Sequence, residues 1–592
     1  MTERTQHDDA APGSPEPSEV HTFDLIDEVP GVSGGADDPD GADPDPEHPP
    51  AGPDETDEPA PRSPGRLALA LTSARAAVAR TVRRGGAAVR RRLPTSRRGR
   101  VLLVGGTVSV VVLAVAAGVL VDAQLRERAL LATPGGVRSL GVQPAERWSI
   151  DLDNPIAATL IEMPGVLAVA GGTEVRGVDP ASGDVLWTVE VGDDAHCGPG
   201  TPSGIGGPAS AEPADPLVCI ASSGGAGGGD ESPRVVTVIG ADGAARTREL
   251  DSDAVVLPAA GGRLIRLEPA GGDQERRPVV VDKLGVPHLP KDFAGPDLTV
   301  RVEDAATGAE RWSDTVEFGA ARPDGCVTYA DNAPVLDVVG ALGWDLHGSL
   351  LEVQGCGVSA AFLLDGTRLD DPADPADPPA DGVDTASFAP LPGGGWVGPD
   401  TTAAEGTVSG DVVHLEHGGT FALDGQALVP WATDGRDPGL LLERAGTRLG
   451  ARSTAEDDAG ARLWSMADVR ATTVLARVSG TAVVVDEDGA VRAIDVGTGA
   501  DRWTLDPEVL SFGDQVWAAE STIFGAYTDG RTLLLPVTAD PSGSSPGLRL
   551  LAVDLEDGSV RWEIAQDTPY TQLISVDGHL AQITQQGVVG LG

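Results

Sequence analysis

The alternation of apolar and polar positions is clearest from Ser479 to Trp503, in the stretch SGTAVVVDEDGAVRAIDVGTGADRW. A β-branched run from Thr481 to Val485 precedes a D-E-D-G turn, and a second run from Ala490 to Asp495 precedes a turn over Val496 to Gly499. A third run begins at Ala500 to Trp503. Apolar runs bounded by Asp and Gly predict three strands joined by tight turns.

The end of this stretch carries Asp, Gly and Trp at intervals of four, and this signature recurs. The complete copies are Asp179, Gly183 and Trp187; Asp304, Gly308 and Trp312; Asp495, Gly499 and Trp503; and Asp554, Gly558 and Trp562. A degenerate copy keeps Gly460 and Trp464 with Glu456 in place of the Asp, and Trp148 stands in ERWSIDL. Trp148 to Trp187 and Trp464 to Trp503 each span 39 residues, a period typical of one four-stranded propeller blade.

The wider gaps on either side of Trp312 leave room for blades that have lost the signature. Candidates for such eroded blades are Val235 to Leu250, Leu350 to Leu369 and Val412 to Trp431. The pattern therefore predicts an all-β fold, a propeller of seven or eight four-stranded antiparallel blades over residues 147–592.

The two ends of this region are predicted to share a blade. Residues 573–592 supply three strands and stop where a signature would begin, whereas Glu146 to Leu152 starts with a Trp strand that has no blade before it. Pairing the first strand with the last three would close the ring and remove two exposed sheet edges.

The residue types in the signature indicate a structural role. Asp accepts hydrogen bonds from turn amides, Gly adopts the positive φ of the turn, and Trp buries a large face while its indole N–H reaches a carbonyl. Small residues such as Ala493 and Ala552 leave room beside the indole. We therefore expect the Trp side chains to dock neighbouring blades, and the pattern contains no predicted catalytic residue.

The chain before residue 147 has a different composition. Residues 1–64 are acidic and rich in Pro and Gly, which predicts a disordered cytoplasmic tail. Residues 65–100 are rich in Arg; their apolar spacing over 65–92 favours an interfacial helix, and a positive flank to the next segment is the alternative.

Residues 101–121 contain no charge, and 21 residues at about 1.5 Å each span a bilayer core of about 30 Å. We predict a single transmembrane helix, with a cleaved signal peptide as the alternative. Arg97, Arg98 and Arg100 precede it and Asp122 follows it, which predicts a cytoplasmic N-terminus, a linker over 122–146 and an extracytoplasmic propeller at the cell membrane.

All four cysteines lie beyond this helix, namely Cys197, Cys219, Cys326 and Cys356. An even number in an exported domain predicts two disulfides. Three pairings are open, and the nearest-neighbour pairing closes the shortest loops. A zinc site is the alternative, but no C-x-x-C spacing supports it.

The signature segments VRAIDVGTGADRW, RGVDPASGDVLW, VEDAATGAERW and LAVDLEDGSVRW resemble the repeat of the pyrroloquinoline-quinone-like β-propeller family. The resemblance covers residues 147–592 and implies an eight-bladed ring tied together by Trp docking. It also implies one of two groups, quinone-dependent dehydrogenases or non-catalytic binding and scaffold propellers. The dehydrogenases carry an adjacent cysteine pair and a calcium site; no two cysteines are adjacent here, so the resemblance favours the non-catalytic group.

The sequence gives only weak evidence for other metal-binding or catalytic sites. His414 and His417 are close but lack a H-E-x-x-H pattern, the acidic run Asp370 to Asp384 lacks an EF-hand pattern, and the G-x-S-x-G match at Gly543 to Gly547 lies in a polar loop. We therefore expect no metal and no cofactor, with pyrroloquinoline quinone plus calcium as the alternative.

The charge composition reduces the range of possible binding partners. Acidic residues outnumber basic ones 90 to 43, which argues against nucleic-acid binding. The leading hypothesis is a membrane-anchored binding or scaffolding module whose partner is a protein, a wall polymer or a small ligand. The alternatives are a quinone-dependent dehydrogenase and a transmembrane sensor.

Overall fold

The computed structural model describes residues 122–592 apart from gaps, the longest of which are 200–212, 223–233, 370–387, 400–409, 511–522 and 539–547. The chain divides into two units, residues 1–104 and 105–592, and every described residue belongs to the second. The predicted tail (1–64), Arg-rich segment (65–100) and transmembrane helix (101–121) lie outside the described residues. In the part that is described, no helix combines the length and the apolar character needed to cross a bilayer.

Nine sheets follow one another as blades, and we number strands and blades in chain order. Blade 1 contains β2 (Thr159–Met163), β3 (Val166–Gly171), β4 (Glu174–Val178) and β5 (Val185–Glu190). Blade 2 contains β6 (His196–Cys197), β7 (Leu217–Ser222), β8 (Arg234–Ile239) and β9 (Ala245–Leu250). Blade 3 contains β10 (Val255–Ala259), β11 (Arg263–Pro269), β15 (Leu298–Asp304) and β16 (Glu310–Val316).

The next three blades include the least regular ones. Blade 4 contains β19 (Gly343–His347), β20 (Leu350–Gly355) and β21 (Val358–Leu363). Blade 5 contains β22 (Ala389–Pro390), β23 (Gly395–Pro399), β24 (Asp411–Leu415) and β25 (Thr420–Ala422). Blade 6 contains β26 (Gln426–Leu428), β28 (Leu440–Ala445), β29 (Arg448–Ser453) and β30 (Arg462–Ala467).

The last three blades carry the clearest signatures. Blade 7 contains β31 (Ala471–Val478), β32 (Thr481–Asp486), β33 (Val491–Asp495) and β34 (Asp501–Leu505), with β27 (Pro430–Thr433) added in parallel beside β31. Blade 8 contains β35 (Tyr527–Thr528), β36 (Thr532–Thr538), β37 (Leu548–Asp554) and β38 (Val560–Gln566). Blade 9 contains β39 (Leu573–Val576), β40 (His579–Ile583), β41 (Gly587–Leu591) and β1 (Glu146–Asp151).

Short helical segments lie outside the blades. Residues 122–131 form a helix, Pro155–Ala157 a 3₁₀ turn and Pro507–Leu510 a single helical turn.

The strands predicted from Ser479 to Trp503 are confirmed. Thr481 pairs with Asp495 and Val485 with Val491, so that one turn of the D-E-D-G kind joins β32 to β33. The six residues of β32 are all buried, as expected for a β-branched strand inside a sheet that is covered on both faces.

The hydrophobic core is distributed over the contacts between blades. Nine apolar clusters each combine residues of two successive blades, and they run from blades 1 and 2 through blades 8 and 9 and back from 9 to 1. Each blade thus buries both faces against its neighbours, and the described part of the chain forms a closed ring.

The ring has nine blades, and the prediction of seven or eight was wrong. All three segments proposed as eroded blades include strands of blades without the signature Trp, namely blades 2, 4 and 5, and the third also runs on into β26 of blade 6 and β27. The undercount arose because these blades lack the signature Trp, and because insertions break the 39-residue period, so that chain length does not separate an eroded blade from a loop.

The predicted closure is confirmed. Strand β1 pairs antiparallel with β41, with Ser149 opposite Val589 and Asp151 opposite Gly587. The first strand of the domain therefore completes the last sheet.

An insertion is built from two connections, one inside blade 3 and one between blades 3 and 4. It contains β12 (Arg277–Pro278), β13 (Val280–Val281), β14 (Pro287–His288), β17 (Val327–Ala330) and β18 (Ala333–Leu336). β12, β18 and β17 form one small sheet, and β13 and β14 form a hairpin.

The up-and-down course of each blade assigns its turns to two faces. Because neighbouring strands are antiparallel, turns between the first and second strands and between the third and fourth strands lie on one face. This face carries the Asp and Gly of the signature, and we call it the signature face. The insertion arises from the β11–β15 and β16–β19 connections, which lie on the opposite face.

Candidate binding surface

The six signature tryptophans lie at contacts between blades; five of the indoles donate a hydrogen bond to the next blade, and that of Trp562 donates to Leu140 before β1. Each indole Nε1 donates to a backbone carbonyl oxygen. The pairs are Trp148 with Pro180 (3.2 Å), Trp187 with Ala241 (3.0 Å), Trp312 with Leu364 (3.0 Å), Trp464 with Val496 (2.7 Å), Trp503 with Leu555 (3.1 Å) and Trp562 with Leu140 (2.8 Å). In three complete copies the acceptor directly follows the signature Asp of the next blade.

Each of these tryptophans sits beside a β-bulge and opposite a residue of the neighbouring strand in its own blade. The opposite residues are Gly177, Val302, Ala451, Ala493, Ala552 and Gly590. Five of the six are Gly or Ala; a Cβ on Gly177 would lie 2.0 Å from the Trp187 ring. The small residues therefore make space for the indole.

The signature glycines receive the indole of the preceding blade. Gly558 has a φ of +76°, and a Cβ there would lie 2.6 Å from the Trp503 ring. Gly183 and Gly499 are related in the same way to Trp148 and Trp464. Glycine is thus required twice at this position, for the turn conformation and for close contact.

The signature aspartates cap their own turns. Asp495 Oδ1 accepts from the backbone N–H of Gly497 and Thr498 at 3.1 and 3.0 Å, and its Oδ2 accepts from Arg502 at 2.6 Å. The hydrogen bond from Arg502, followed by that from Thr498, lowers the pKa of Asp495. Turn hydrogen bonds likewise lower the pKa of Asp179, mainly through Ser182, and that of Asp304, mainly through Thr307.

Sequence reasoning missed the arginine that precedes Trp in three copies. Arg311, Arg502 and Arg561 each bond to the signature Asp of their own blade, at 3.3, 2.6 and 2.5 Å. The Arg-Trp pairs were visible in AERW, ADRW and SVRW, so the signal was present.

Glu456 does not take the place of the signature Asp in the degenerate copy. Its side chain is exposed, and Gly460 N donates to Ser453 O at 2.8 Å rather than to Glu456.

Two blades without a signature Trp use other side chains at the docking position. In blade 2, Arg248 Nε donates to Ala305 O at 2.7 Å, directly after Asp304, and its guanidinium approaches Gly308. In blade 5, the phenyl ring of Phe421 takes this place against Gly460. Neither was predicted, because the pattern search relied on Trp.

Both predicted disulfides are present in the nearest-neighbour pairing. Cys197–Cys219 joins β6 to β7 inside blade 2, and Cys326–Cys356 joins the insertion to the turn between β20 and β21 of blade 4. With all four cysteines paired, the zinc alternative is overturned.

The insertion exposes four large apolar side chains. Val280, Val281, Val286 and Tyr329 are 75, 40, 49 and 71% exposed. Pro334 connects them, because it pairs with Tyr329 and accepts from Val279 N at 3.3 Å. A small core under this surface contains Cys326, Val338 and Cys356, with Phe293 and Phe318 packed edge to face at 5.7 Å.

Two carboxyl groups in the blades are held partly neutral. Burial, and then the nearby Asp577, raise the pKa of Glu162 to about 7. Burial, and then the nearby Asp345, also raise the pKa of Glu352 to about 7 against the opposing hydrogen bond from Phe388 N. Glu162 and Asp577 lie where blades 9 and 1 meet. Glu352 on β20 is the register partner of Asp345 on β19.

The remaining candidates do not converge on a reactive centre. His414 is stacked on Trp396 at 3.7 Å, and burial lowers its pKa; His417 lies beyond the end of β24. The acidic run Asp370 to Asp384 and the loop Gly543 to Gly547 lie outside the described residues. Among residues that are described, no group of three His, Cys, Asp or Glu is arranged to hold a metal ion.

Residues 439–590 match a family model described as outer membrane protein assembly factor BamB. The match covers about a quarter of the chain, blades 6 to 9. A search of curated protein sequences finds no significant match.

Solved structures also match this chain, at low sequence identity. They include BamB from Moraxella catarrhalis (14% identity, TM-score 0.33), the designed protein Ika8 (11%, 0.32) and Sqt1 from Saccharomyces cerevisiae (9%, 0.33). Each alignment covers 76% of this chain and 99% of the other. At these TM-scores the structures carry no functional argument. The repeat signature and the family match together show that blades 6 to 9 are similar to pyrroloquinoline-quinone-like β-propeller repeats.

Proposed function

We propose that this is a single-pass membrane protein whose extracytoplasmic propeller is a non-catalytic scaffold that binds another protein. The observation that carries the proposal is the apolar surface of the insertion, formed by Val280, Val281, Val286 and Tyr329. Exposed apolar groups gathered from separate segments are typical of protein contact sites. Cys326–Cys356 fixes this surface to blade 4, which reduces the entropy lost on binding.

The partner surface is expected to be apolar and neutral or basic at its rim. The chain carries 90 acidic against 43 basic residues, so polyanions would be repelled at most of its surface. The match of residues 439–590 to an assembly-factor family supports a scaffold role over a quinone-dependent dehydrogenase.

Membrane anchoring by residues 101–121 rests on the uncharged stretch, and the two disulfides support an extracytoplasmic propeller. A single cysteine at Val142, which is 80% exposed, should react with an impermeant maleimide on intact cells, whereas one at Val20 should react only after lysis. Equal protection of both positions would overturn the anchored topology.

Photo-crosslinking tests the binding surface directly. A photoreactive amino acid at Tyr329 of the full-length protein in cells should yield one discrete protein adduct, which Val280→Asp abolishes. The control position is Leu463, which is 46% exposed on β30 of blade 6. The proposal fails if both positions give the same adducts, or if Tyr329 gives none.

A further inference from the structure

Residues 135–142, which we call the strap, run over the signature face of blades 8 and 9. Gly136 forms a parallel bridge with Thr528 of β35, where Val137 N donates to Thr528 O at 2.9 Å and Thr528 N donates to Gly135 O at 2.8 Å. Arg138 N and Nε then donate to Gly578 O and Asp577 O, both at 3.0 Å, in the β39–β40 turn. The strap is thus bonded to both blades as an added strand would be.

Apolar side chains anchor the strap between these two blades. Val137 and Leu140 are 1% and 0% exposed and belong to the apolar cluster that contains Trp562 of blade 8 and Leu580 of blade 9. Leu140 N also donates to Asp529 Oδ2 at 2.8 Å. The strap therefore forms part of the core between blades 8 and 9.

The strap also supplies a group that blade 9 lacks. In blade 4 the acceptor for the indole is Leu364 O, directly after the third strand β21; in blades 1, 2, 7 and 8 the turn between the third and fourth strands provides it. In blade 9 these strands are β41 and β1, which come from opposite ends of the domain and have no turn between them. Trp562 donates instead to Leu140 O, so the contact between blades 8 and 9 is complete only with the strap in place.

We infer that the strap is a conformational coupling element: its displacement loosens blade 9, and loosening of blade 9 releases the strap. Equilibrium coupling of this kind is reciprocal. Helix 122–131 precedes the strap, and Thr133 between them donates to Thr433 O of β27 at 2.9 Å, so a load on the chain before residue 133 reaches the strap through this contact. The coupling is independent of the proposed function, since it holds whatever partner the propeller binds.

One arm of the test perturbs blade 9 and observes the strap. Val137→Cys in the full-length protein in nanodiscs introduces a single free thiol, because the four native cysteines are paired. Adding Val588→Ala, a buried residue of β41 outside the strap's cluster, should accelerate maleimide labelling roughly tenfold. The matched control is Val484→Ala, equally buried in β32 of blade 7, which should leave the labelling rate unchanged.

The second arm perturbs the strap and observes the blades by amide hydrogen exchange. Leu140→Ala should accelerate exchange in β39, β40, β41 and β1 and leave β15 and β16 of blade 3 unchanged. Val142→Ala, at an 80% exposed position, is the control and should alter neither. Equal acceleration in all blades, or equal labelling with Val588→Ala and Val484→Ala, would overturn the coupling. If Leu140→Ala does not fold, the labelling arm decides alone.

Discussion

Arg248 Nε donates to the carbonyl oxygen of Ala305 at 2.7 Å, in the position where an indole donates at six other contacts between blades. The guanidinium also bonds to Glu303, which is 1% exposed. An arginine can thus replace the tryptophan because it presents both a planar group to the turn and an N–H to its carbonyl. The docking geometry of this ring does not depend on one residue type.

Arg248→Ala is expected to destabilise the propeller by about 3 kcal/mol, because it leaves a buried carboxylate without its nearest partner. Arg266 and Arg301 remain near Glu303, at 3.8 and 3.5 Å, and limit the loss. Denaturant unfolding followed by tryptophan fluorescence measures the change. Arg311→Ala, at a side chain 43% exposed, is the control and should cost less than about 1 kcal/mol. Equal costs for the two variants would refute this role of Arg248.

Substitution of two glycines separates backbone strain from close packing. Gly558 and Gly480 have similar φ values, +76° and +82°, but a Cβ meets the Trp503 ring only at Gly558 and nothing within 4 Å at Gly480. Gly480→Ala should cost about 1 kcal/mol from strain alone, and Gly558→Ala about 1 to 3 kcal/mol more. Thermal unfolding of both variants gives the comparison, and an equal loss would show that the indole contact contributes nothing.

Stability should fall as pH rises from about 4.5 to 7, in part because of Glu162. Its pKa is raised to about 7 in the folded state, so the folded protein holds a proton that the unfolded chain releases near its ordinary pKa of 4.5. The stabilisation is present below 4.5 and is lost as pH approaches 7. Glu162→Gln should flatten this decline, whereas Glu174→Gln, whose side chain is 31% exposed, should not. Melting temperatures at pH 5 and pH 7.5 provide the test; parallel curves for wild type and Glu162→Gln would contradict it.

Replacement of Cys326 and Cys356 by Ser should loosen the insertion while leaving the ring closed. The 30-residue separation corresponds to about 3 to 4 kcal/mol of loop entropy. Hydrogen exchange should rise in β17 and β18 and remain unchanged in β39 and β40. The companion pair Cys197 and Cys219 lies inside blade 2, so its replacement should instead raise exchange in β7 and β8. Unaltered exchange in β17 would show that the disulfide does not hold the insertion.

Much of the ring was predictable because its contacts repeat. The spacing of Asp495, Gly499 and Trp503 encodes a turn and a docking side chain, and the same physical requirement recurs at each well-preserved blade. The strands of blade 2 were recognisable in the sequence, but the blade could not be counted from the signature. Its docking side chain is Arg248 rather than a tryptophan. Pattern matching identifies a residue type, whereas the fold accepts several planar side chains at the docking position.

The proposed binding surface was not predictable for a different reason. Val280 and Tyr329 come from two connections about 50 positions apart, and their proximity depends on the pairing of Val279 and Tyr329 with Pro334. Neither connection has a periodic pattern. The strap was likewise predicted as part of a linker. Its role depends on the backbone carbonyl of Leu140, and a backbone group cannot be recognised from the residue type.

Closure of the ring by β1 is the central structural claim, and a cross-strand disulfide tests it most directly. Ser149 and Val589 are register partners, and antiparallel partners lie about 4.5 to 5.5 Å apart between Cα atoms, within the range a disulfide bridges. Ser149→Cys with Val589→Cys should therefore form a third disulfide on mild oxidation, detected by mass spectrometry of peptides from the intact protein. Ser149→Cys with Leu580→Cys on β40 should not, and absence of the 149–589 bond in folded protein would contradict the closed ring.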